Sequence, residues 1–348
     1  MSQNPQGRVE YDEFGLFCEN AEEHGLAFDA PPVVRREFVD LRNDGSAASA
    51  DVALPRSAGE RCLSALVWGD GDPEVVLLHG GAQNAHTWDT VAMALGRPLV
   101  AIDLPGHGHS GGGMRGPLVL SDNAADVAKA TAALAPNARG IVGMSLGGAT
   151  ALALFAVAPE LVRALVLVDI TPGVTKDKAR AITSFIDGPE RFQDFDELLA
   201  RTVEFNPTRS VSSLRRGILH NALQTEDGSW VWRHARWRAE RSADAVGSGG
   251  AGTEDGSSRD AGVGVTTAAA GDTGPITEFA SLWEVVGSLS VPLMLVRGTR
   301  PGSVVDDSDE AELVRRCPRA RVEHVDAGHS VQGDAPLELA RLIGDFLS

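Results

Sequence analysis

The chain has 348 residues and a mass of 36.5 kDa, long enough for one large domain with an insertion or for two domains. Its formal net charge of −17 and its pI near 4.9 argue against a nucleic-acid surface, and no polybasic cluster suggests docking on anionic lipid. No stretch reaches the roughly 20 apolar residues of a membrane helix, and the polar start does not fit a secretory signal. We expect a cytoplasmic protein with neither nucleic acid nor membrane as partner; the sequence does not specify its oligomeric state.

Cys18, Cys62 and Cys317 are far apart and do not have the spacing of metal ligands. We expect reduced thiols and predict no metal site.

Eight short apolar runs bounded by Gly, Pro, Asp or His are typical of buried strands. In chain order they span 36–41, 62–68, 75–79, 98–103, 140–144, 164–169, 292–297 and 321–326. Helical patterns separate most of the later runs, at 89–95, 121–134, 146–158, 309–317 and 336–346. This alternation predicts an α/β fold with a mostly parallel sheet covered on both faces. The first two runs have no helix between them, so an antiparallel edge is expected there.

The alternation stops between Asp169 and Pro292, an interval too long for one crossover. It contains helical stretches at 191–204 and 212–223 and several tryptophans, which predicts a helical cap inserted over the carboxyl ends of the strands. Within it, residues 242–274 are rich in Gly, Ser, Ala and Asp and nearly free of large apolar side chains. Such a composition predicts a disordered loop.

These patterns divide the chain into three parts. They are an N-terminal extension of unassigned role at 1–34, a core at 35–170 and 290–348, and a cap at 171–289.

A serine stands among glycines where an apolar run passes into a helical pattern. Residues 143–147 read Gly-Met-Ser-Leu-Gly and fit G-x-S-x-G, in which a strand turns sharply into a helix and exposes a strained serine. In the alternative, Ser145 only caps the helix, but the flanking glycines would then be a needless cost. We interpret Ser145 as a nucleophile.

A serine nucleophile needs a base to take its proton. His329 follows the last predicted strand, at a carboxyl end where the active sites of open sheets form. The other histidines have simpler explanations, although His220 could face a pocket from the cap. We predict that His329 is the base.

Four segments together resemble the α/β-hydrolase superfamily over roughly residues 35–348. They are LLHGGAQNAHTW, AIDLPGHGHSGG, VGMSLGGATAL and DAGHSVQGDAPLELA. The resemblance implies an eight-stranded sheet flanked by helices, a cap after the sixth strand, and a triad in the order serine, acid, histidine. It also implies an oxyanion hole built from the backbone N–H groups of Gly81 and Leu146.

The acid departs from the pattern of many members, which carry it after the seventh strand. Here residues 301–303 hold that place with Pro, Gly and Ser, and Asp306 follows in what looks like a helix cap. Asp169 ends the sixth strand, where haloalkane dehalogenases and similar enzymes can carry their acid. Both Asp169 and Asp306 stay open, with Asp169 favoured.

Aromatic residues suggest the substrate pocket. We predict that Trp88, Trp230 and Trp232 contact the substrate, although an aromatic side chain taken alone is more often part of a core. As a group they favour a small apolar substrate.

The resulting hypothesis is a serine hydrolase without metal or cofactor that cleaves an ester, lactone or related acyl bond through an acyl-enzyme. One alternative is C–C bond hydrolysis of diketone-type ring-cleavage products, because the serine motif is similar to that of such hydrolases. Another is a non-catalytic ligand-binding protein on the same fold, which the displaced acid permits.

Overall fold

A computed structural model of the protein describes residues 9–42, 61–111, 118–234 and 276–348. Its strands are β1 (Val34–Asp40), β2 (Cys62–Trp68), β3 (Val75–Leu78), β4 (Leu99–Ile102), β5 (Gly140–Met144), β6 (Leu165–Val168), β7 (Arg191–Phe192), β8 (Ala222–Gln224), β9 (Trp230–Trp232), β10 (Leu293–Gly298) and β11 (Arg321–Val325). Its helices are α1 (Phe17–His24), α2 (Asp89–Leu95), α3 (Leu120–Leu134), α4 (Leu146–Val157), α5 (Arg180–Ile186), α6 (Phe195–Phe205), α7 (Val211–Asn221), α8 (Thr277–Ala280), α9 (Leu282–Ser288), α10 (Asp307–Arg316), α11 (Val331–Asp334) and α12 (Pro336–Phe346).

Eight of the strands form one sheet, in the order β1-β2-β4-β3-β5-β6-β10-β11. β2 is antiparallel to both of its neighbours, and every other adjacent pair is parallel. The predicted α/β architecture and the antiparallel edge are therefore confirmed. Because the carboxyl ends of β3, β5, β6, β10 and β11 lie at one edge, the loops that follow them converge there.

The sheet is buried on both faces, as the uninterrupted apolar runs predict. All residues of β3, β4, β5 and β6 are buried. Helices α3, α4, α9 and α10 pack on one face, and α1, α2 and α12 pack on the other. No helix within the described ranges is both long and apolar enough to cross a membrane.

The inserted region between β6 and β10 contains short helices and a small antiparallel sheet, in the order β7-β9-β8. This sheet was not predicted. The helix predicted at 191–204 begins only at Phe195, because β7 takes its first residues, and the helix predicted at 212–223 ends at Asn221, where β8 takes over. The predicted loop at 242–274 lies outside the described residues. Helix α9, within the range assigned to the cap, packs against α4 and α10 of the core.

The described part of the N-terminal extension contacts both the core and the cap. Phe17 of α1 is buried against Trp68 of the central sheet. Tyr11 packs with the apolar cluster of the cap, and its hydroxyl lies 2.7 Å from Nδ1 of His220 in α7. This segment therefore links the two larger parts of the molecule.

Candidate active site

Ser145 occupies the sharp turn between β5 and α4. Its φ of 51° and ψ of −118° place it in a strained backbone conformation, and the residue is partly exposed. A Cβ atom at Gly147 would lie 2.2 Å from the carbonyl oxygen of Leu78, so only glycine allows α4 to approach β3 this closely. The side chain of Ser145 makes no capping hydrogen bond, which counts against the reading of this serine as a helix cap.

Asp169 and His329 meet at the same edge of the sheet. Ser145 and Asp169 each follow one of two adjacent strands, and the backbone N–H of Ser145 donates to the carbonyl of Val168 at 3.2 Å. His329 follows β11, and its Nδ1 lies 2.8 Å from Oδ2 of the buried Asp169. The other ring nitrogen, Nε2, has no hydrogen-bond partner among the described residues and is the atom left for a reacting hydroxyl.

The carboxylate of Asp169 is held on both oxygens. Oδ1 accepts hydrogen bonds from the N–H of Gly298 at 2.9 Å and from the hydroxyl of Ser303 at 2.6 Å. Oδ2 accepts from the N–H of Val304 at 3.1 Å and faces His329. Ser303 stands in the loop where many α/β hydrolases carry their acid, and here its hydroxyl holds the carboxylate of Asp169 at the end of the neighbouring strand.

Asp306, the other candidate acid, makes its contacts with the start of α10 and with Lys178. Its carboxylate caps α10 by accepting from the N–H groups of Ser308 and Asp309, both at 3.0 Å, and it pairs with Lys178 at 2.7 Å. These contacts outweigh partial burial and lower the pKa of Asp306 well below its usual range. The structure gives it no contact with His329.

Two buried histidines brace the loop that follows β3. His79 accepts a hydrogen bond from the N–H of Leu104 at 2.9 Å, and its other nitrogen lies 2.7 Å from the carbonyl of Gly80. His107 accepts from the N–H of Ala82 at 3.0 Å, which holds Ala82 at a φ of 58°. Burial lowers the pKa of His79 to about 3, so it is neutral and can accept this bond at physiological pH. Sequence reasoning assigned no functional part to either histidine.

The same loop carries one of the two predicted oxyanion donors. Within the described chain, the backbone N–H groups of Gly81 and Leu146 have no hydrogen-bond acceptor. Gly80 packs against the serine turn, since a Cβ there would lie 3.3 Å from Cβ of Ser145. Two unsatisfied donors beside a strained serine fit the requirement for stabilising a developing oxyanion.

A cavity lies between this loop and the cap. Its wall includes Ala82 and Gln83 of the loop, Trp232 of the cap, and Gln332 beyond His329. Several of its other lining residues are also polar, so the cavity is less apolar than the aromatic content of the sequence predicted. The cavity-lining residues with polar side chains include Asn20, Thr202, Asn206, Arg209, Ser213, Arg216 and Asn221.

Of the three tryptophans predicted to contact substrate, only Trp232 lines this cavity. Trp88 is fully buried in the core against the sheet. Trp230 is 4% exposed and packs edge-on against Phe195 in the apolar cluster of the cap. Both are core side chains because their rings are enclosed by apolar neighbours.

Among the described residues, His86, Asp89 and His220 come close enough to share a metal ion, with ligand atoms within 4.8 Å of one another. All three are buried and line the cavity. Burial disfavours a charged His86, but Asp89 at 2.9 Å and Glu13 at 3.0 Å raise the pKa of His86 to about 9. Carboxylates face both ring nitrogens of His86, which favours the imidazolium, a form that offers no lone pair to a metal. The cluster as it stands therefore fits a buried ion pair better than a metal centre.

Comparisons with known proteins agree with this architecture. The α/β hydrolase fold family matches residues 73–336. Esterase Rv0045c of Mycobacterium tuberculosis is 38% identical over 344 residues, covering 97% of this chain and 96% of that protein. Its crystal structure matches with a TM-score of 0.70, over 97% of this chain and 99% of the other. The structure of E-2-(acetamidomethylene)succinate hydrolase has a TM-score of 0.65 over 90% of this chain and 99% of the other, at 19% identity, a likeness of fold alone.

The chain belongs to the α/β-hydrolase family.

Proposed function

We propose that this protein is a carboxylic ester hydrolase that uses Ser145 as nucleophile, His329 as general base and Asp169 as the acid of the triad. The observation that carries the proposal is the 2.8 Å contact between Asp169 and Nδ1 of His329, beside the strained serine turn. The esterase relative that matches this chain over nearly its whole length supports ester cleavage over C–C bond hydrolysis. The contact between Asp169 and His329 beside the serine turn also argues against the alternative of a non-catalytic protein that only binds a ligand.

In the proposed mechanism, Asp169 fixes the ring of His329 so that Nε2 faces the serine. Nε2 takes the proton of the Ser145 hydroxyl as its oxygen attacks the ester carbonyl carbon. The N–H groups of Gly81 and Leu146 donate to the oxyanion of the tetrahedral intermediate. His329 then passes its proton to the leaving alcohol, and the acyl group remains on Ser145.

In the second half of the reaction, water hydrolyses the acyl-enzyme, and His329 again acts first as a base and then as an acid. Nε2 of His329 takes a proton from a water molecule, whose oxygen attacks the acyl carbon. The second tetrahedral intermediate collapses as His329 returns the proton to Oγ of Ser145, which releases the carboxylic acid. Asp169 stabilises the imidazolium in both halves without itself taking the proton.

The reaction class and the nucleophile are tested together with a panel of p-nitrophenyl esters, a lactone and an anilide. We expect the wild type to hydrolyse the esters, and Ser145→Ala to lose at least about 10³-fold in kcat because only the oxyanion donors and the cavity remain. Ser288→Ala is the matched control, since that exposed hydroxyl lies in α9 and donates to the carbonyl of Val285 at 2.9 Å. Ester hydrolysis that survives Ser145→Ala would contradict the proposal.

A further inference from the structure

Arg209 is a cation of the cavity wall. It lies just before α7 and lines the cavity, and its Nε atom is buried with no hydrogen-bond partner among the described residues. One Nη atom donates to the hydroxyl of Ser213 at 2.6 Å. In the part of the chain that the structure describes, no carboxylate forms an ion pair with this guanidinium. Burying an arginine with so little compensation is costly.

Arg216 lines the same cavity, but its charge is compensated by other residues of the protein. Its Nε donates to Asn20 at 2.8 Å, and its guanidinium pairs with Glu23 and, at 3.9 Å, with Glu19. These partners satisfy its charge within the protein. Arg209 has no equivalent set among the described residues. Its Nε is enclosed, but its two Nη atoms are not fully buried and can donate to a ligand in the cavity.

Arg209 lies close to the segment that follows His329. A Cβ atom at Gly333 would lie 2.7 Å from Nε of Arg209, so the guanidinium packs on α11, which begins two residues after His329. The neighbouring Gln332 reaches Gln83, whose side-chain oxygen also accepts from the N–H of Gly80 beside the serine turn. Arg209 therefore lines one cavity with Ala82 and Gln83, which follow Gly81 in the loop proposed to hold the ester carbonyl.

We propose that Arg209 recognises a carboxylate on the substrate, so that the natural ester carries an anionic group on its acyl or alcohol part. A carboxylate is planar and can accept in parallel from the two Nη atoms at the end of the guanidinium, a fork geometry that arginine favours. Burial lowers the pKa of Arg209, and Asp334 and Glu23 offset this effect only in part. A guanidinium nevertheless keeps its charge at every physiological pH, so the site remains cationic. This inference rests on the proposed esterase function and narrows its substrate class.

Three matched esters test the proposal: p-nitrophenyl hexanoate, mono-p-nitrophenyl adipate, and 4-(hexanoyloxy)benzoate. The first is neutral, the second carries a carboxylate at the end of the acyl chain, and the third carries it on the leaving group. We expect the wild type to prefer one of the two anionic esters. In Arg209→Gln, kcat/KM for that ester should fall about tenfold to hundredfold, mainly through KM, while the value for the hexanoate changes less than about twofold.

Arg209→Lys keeps the charge but loses the fork, so it should show an intermediate loss. Arg215 lies in α7, outside the cavity lining, and pairs with Glu19 at 2.8 Å. Arg215→Gln therefore removes a nearby charge and should leave the ester preference unchanged. Thermal melting of each variant shows whether it is folded.

The outcomes separate the two proposals. An equal loss of kcat/KM for all three esters in Arg209→Gln would make Arg209 a structural residue. An unchanged preference for the anionic ester would show that Arg209 does not bind its carboxylate. Either result overturns the inference and leaves the esterase function standing. A wild type that hydrolyses none of the three esters would instead contradict the esterase function itself.

Discussion

Asp169 combines backbone strain with complete burial at the end of β6. Its φ of 47° lies in the left-handed region, which costs a non-glycine residue about 1–2 kcal/mol. The carboxylate is 0% exposed and is held by three donors besides His329. Strain of this kind persists where surrounding contacts fix the residue, and it is common at functional sites. The geometry of Asp169 is that of a side chain kept in one place for the imidazole.

The sequence alone identified Ser145 and His329 as candidates but left the acid open. Ser145 lies in a local pattern of glycines, and His329 follows a predicted strand. Both can therefore be recognised from the few residues around them in the sequence. The choice between Asp169 and Asp306 depends on which carboxylate reaches across the ends of adjacent strands, and that distance is a property of the folded sheet. The orienting hydroxyl of Ser303 leaves no local signal either.

The serine turn is the element whose shape depends most directly on particular residues. Gly143 and Gly147 stand on either side of Ser145, and a Cβ at Gly143 would lie 2.4 Å from the backbone of Gly147. Contacts this short force the backbone to move. The glycine spacing in the sequence thus predicted the turn, because no other residue fits there.

Gly147→Ala should therefore destabilise the fold and misplace Ser145. Its methyl group would lie 2.2 Å from the Leu78 carbonyl, and overpacking of this kind costs about 1–3 kcal/mol. We expect a lower Tm in thermal melting and loss of most ester hydrolysis. Gly287→Ala in α9 is the control, since nothing lies within 4 Å of its added methyl group, and it should keep or raise the Tm. A Gly147→Ala variant with wild-type Tm and activity would show that the turn tolerates side chains.

The cap shows where pattern reading was less accurate. β7, β8 and β9 contain only two or three residues each, too few to show an alternating pattern. Their tryptophans were interpreted as pocket residues, but Trp230 packs inside the cap and Trp232 alone of the predicted three faces the cavity. Composition identified an aromatic region correctly and could not tell which face of a short strand each ring occupies.

At the scale of the whole molecule, a buried charge network connects the N-terminal extension to the core. Glu13 receives hydrogen bonds from Arg36 at 2.7 Å and from His86 at 3.0 Å, and Arg36 also donates to Asp103 at 2.9 Å. Although partial burial disfavours its charge, the contacts with His86 and Arg36 lower the pKa of Glu13 to about 2. No role for the extension could be predicted from the sequence, because the residues it contacts lie far away along the chain.

His86 makes the stability of the molecule depend on pH. Its pKa rises from 6.5 to about 9 on folding, so its charge stabilises the fold fully below pH 6.5, and this contribution is lost as the pH rises through about 9. In His86→Gln, the decline of Tm between these pH values should be smaller than in the wild type. Parallel curves for His86→Gln and wild type would contradict a charged His86.

We propose that Asp169, and not Asp306, orients His329 for the attack by Ser145. This proposal is tested most directly by kcat for one p-nitrophenyl ester with Asp169→Asn and Asp306→Asn measured side by side. Asp169→Asn should lower kcat by roughly 10³–10⁴-fold, because the amide no longer stabilises the imidazolium or the correct tautomer. Asp306→Asn removes the ion pair with Lys178 but keeps an oxygen that can cap α10, so it should change Tm little and leave kcat within about threefold of wild type. A large loss of kcat in Asp306→Asn, with Asp169→Asn nearly fully active, would contradict the account.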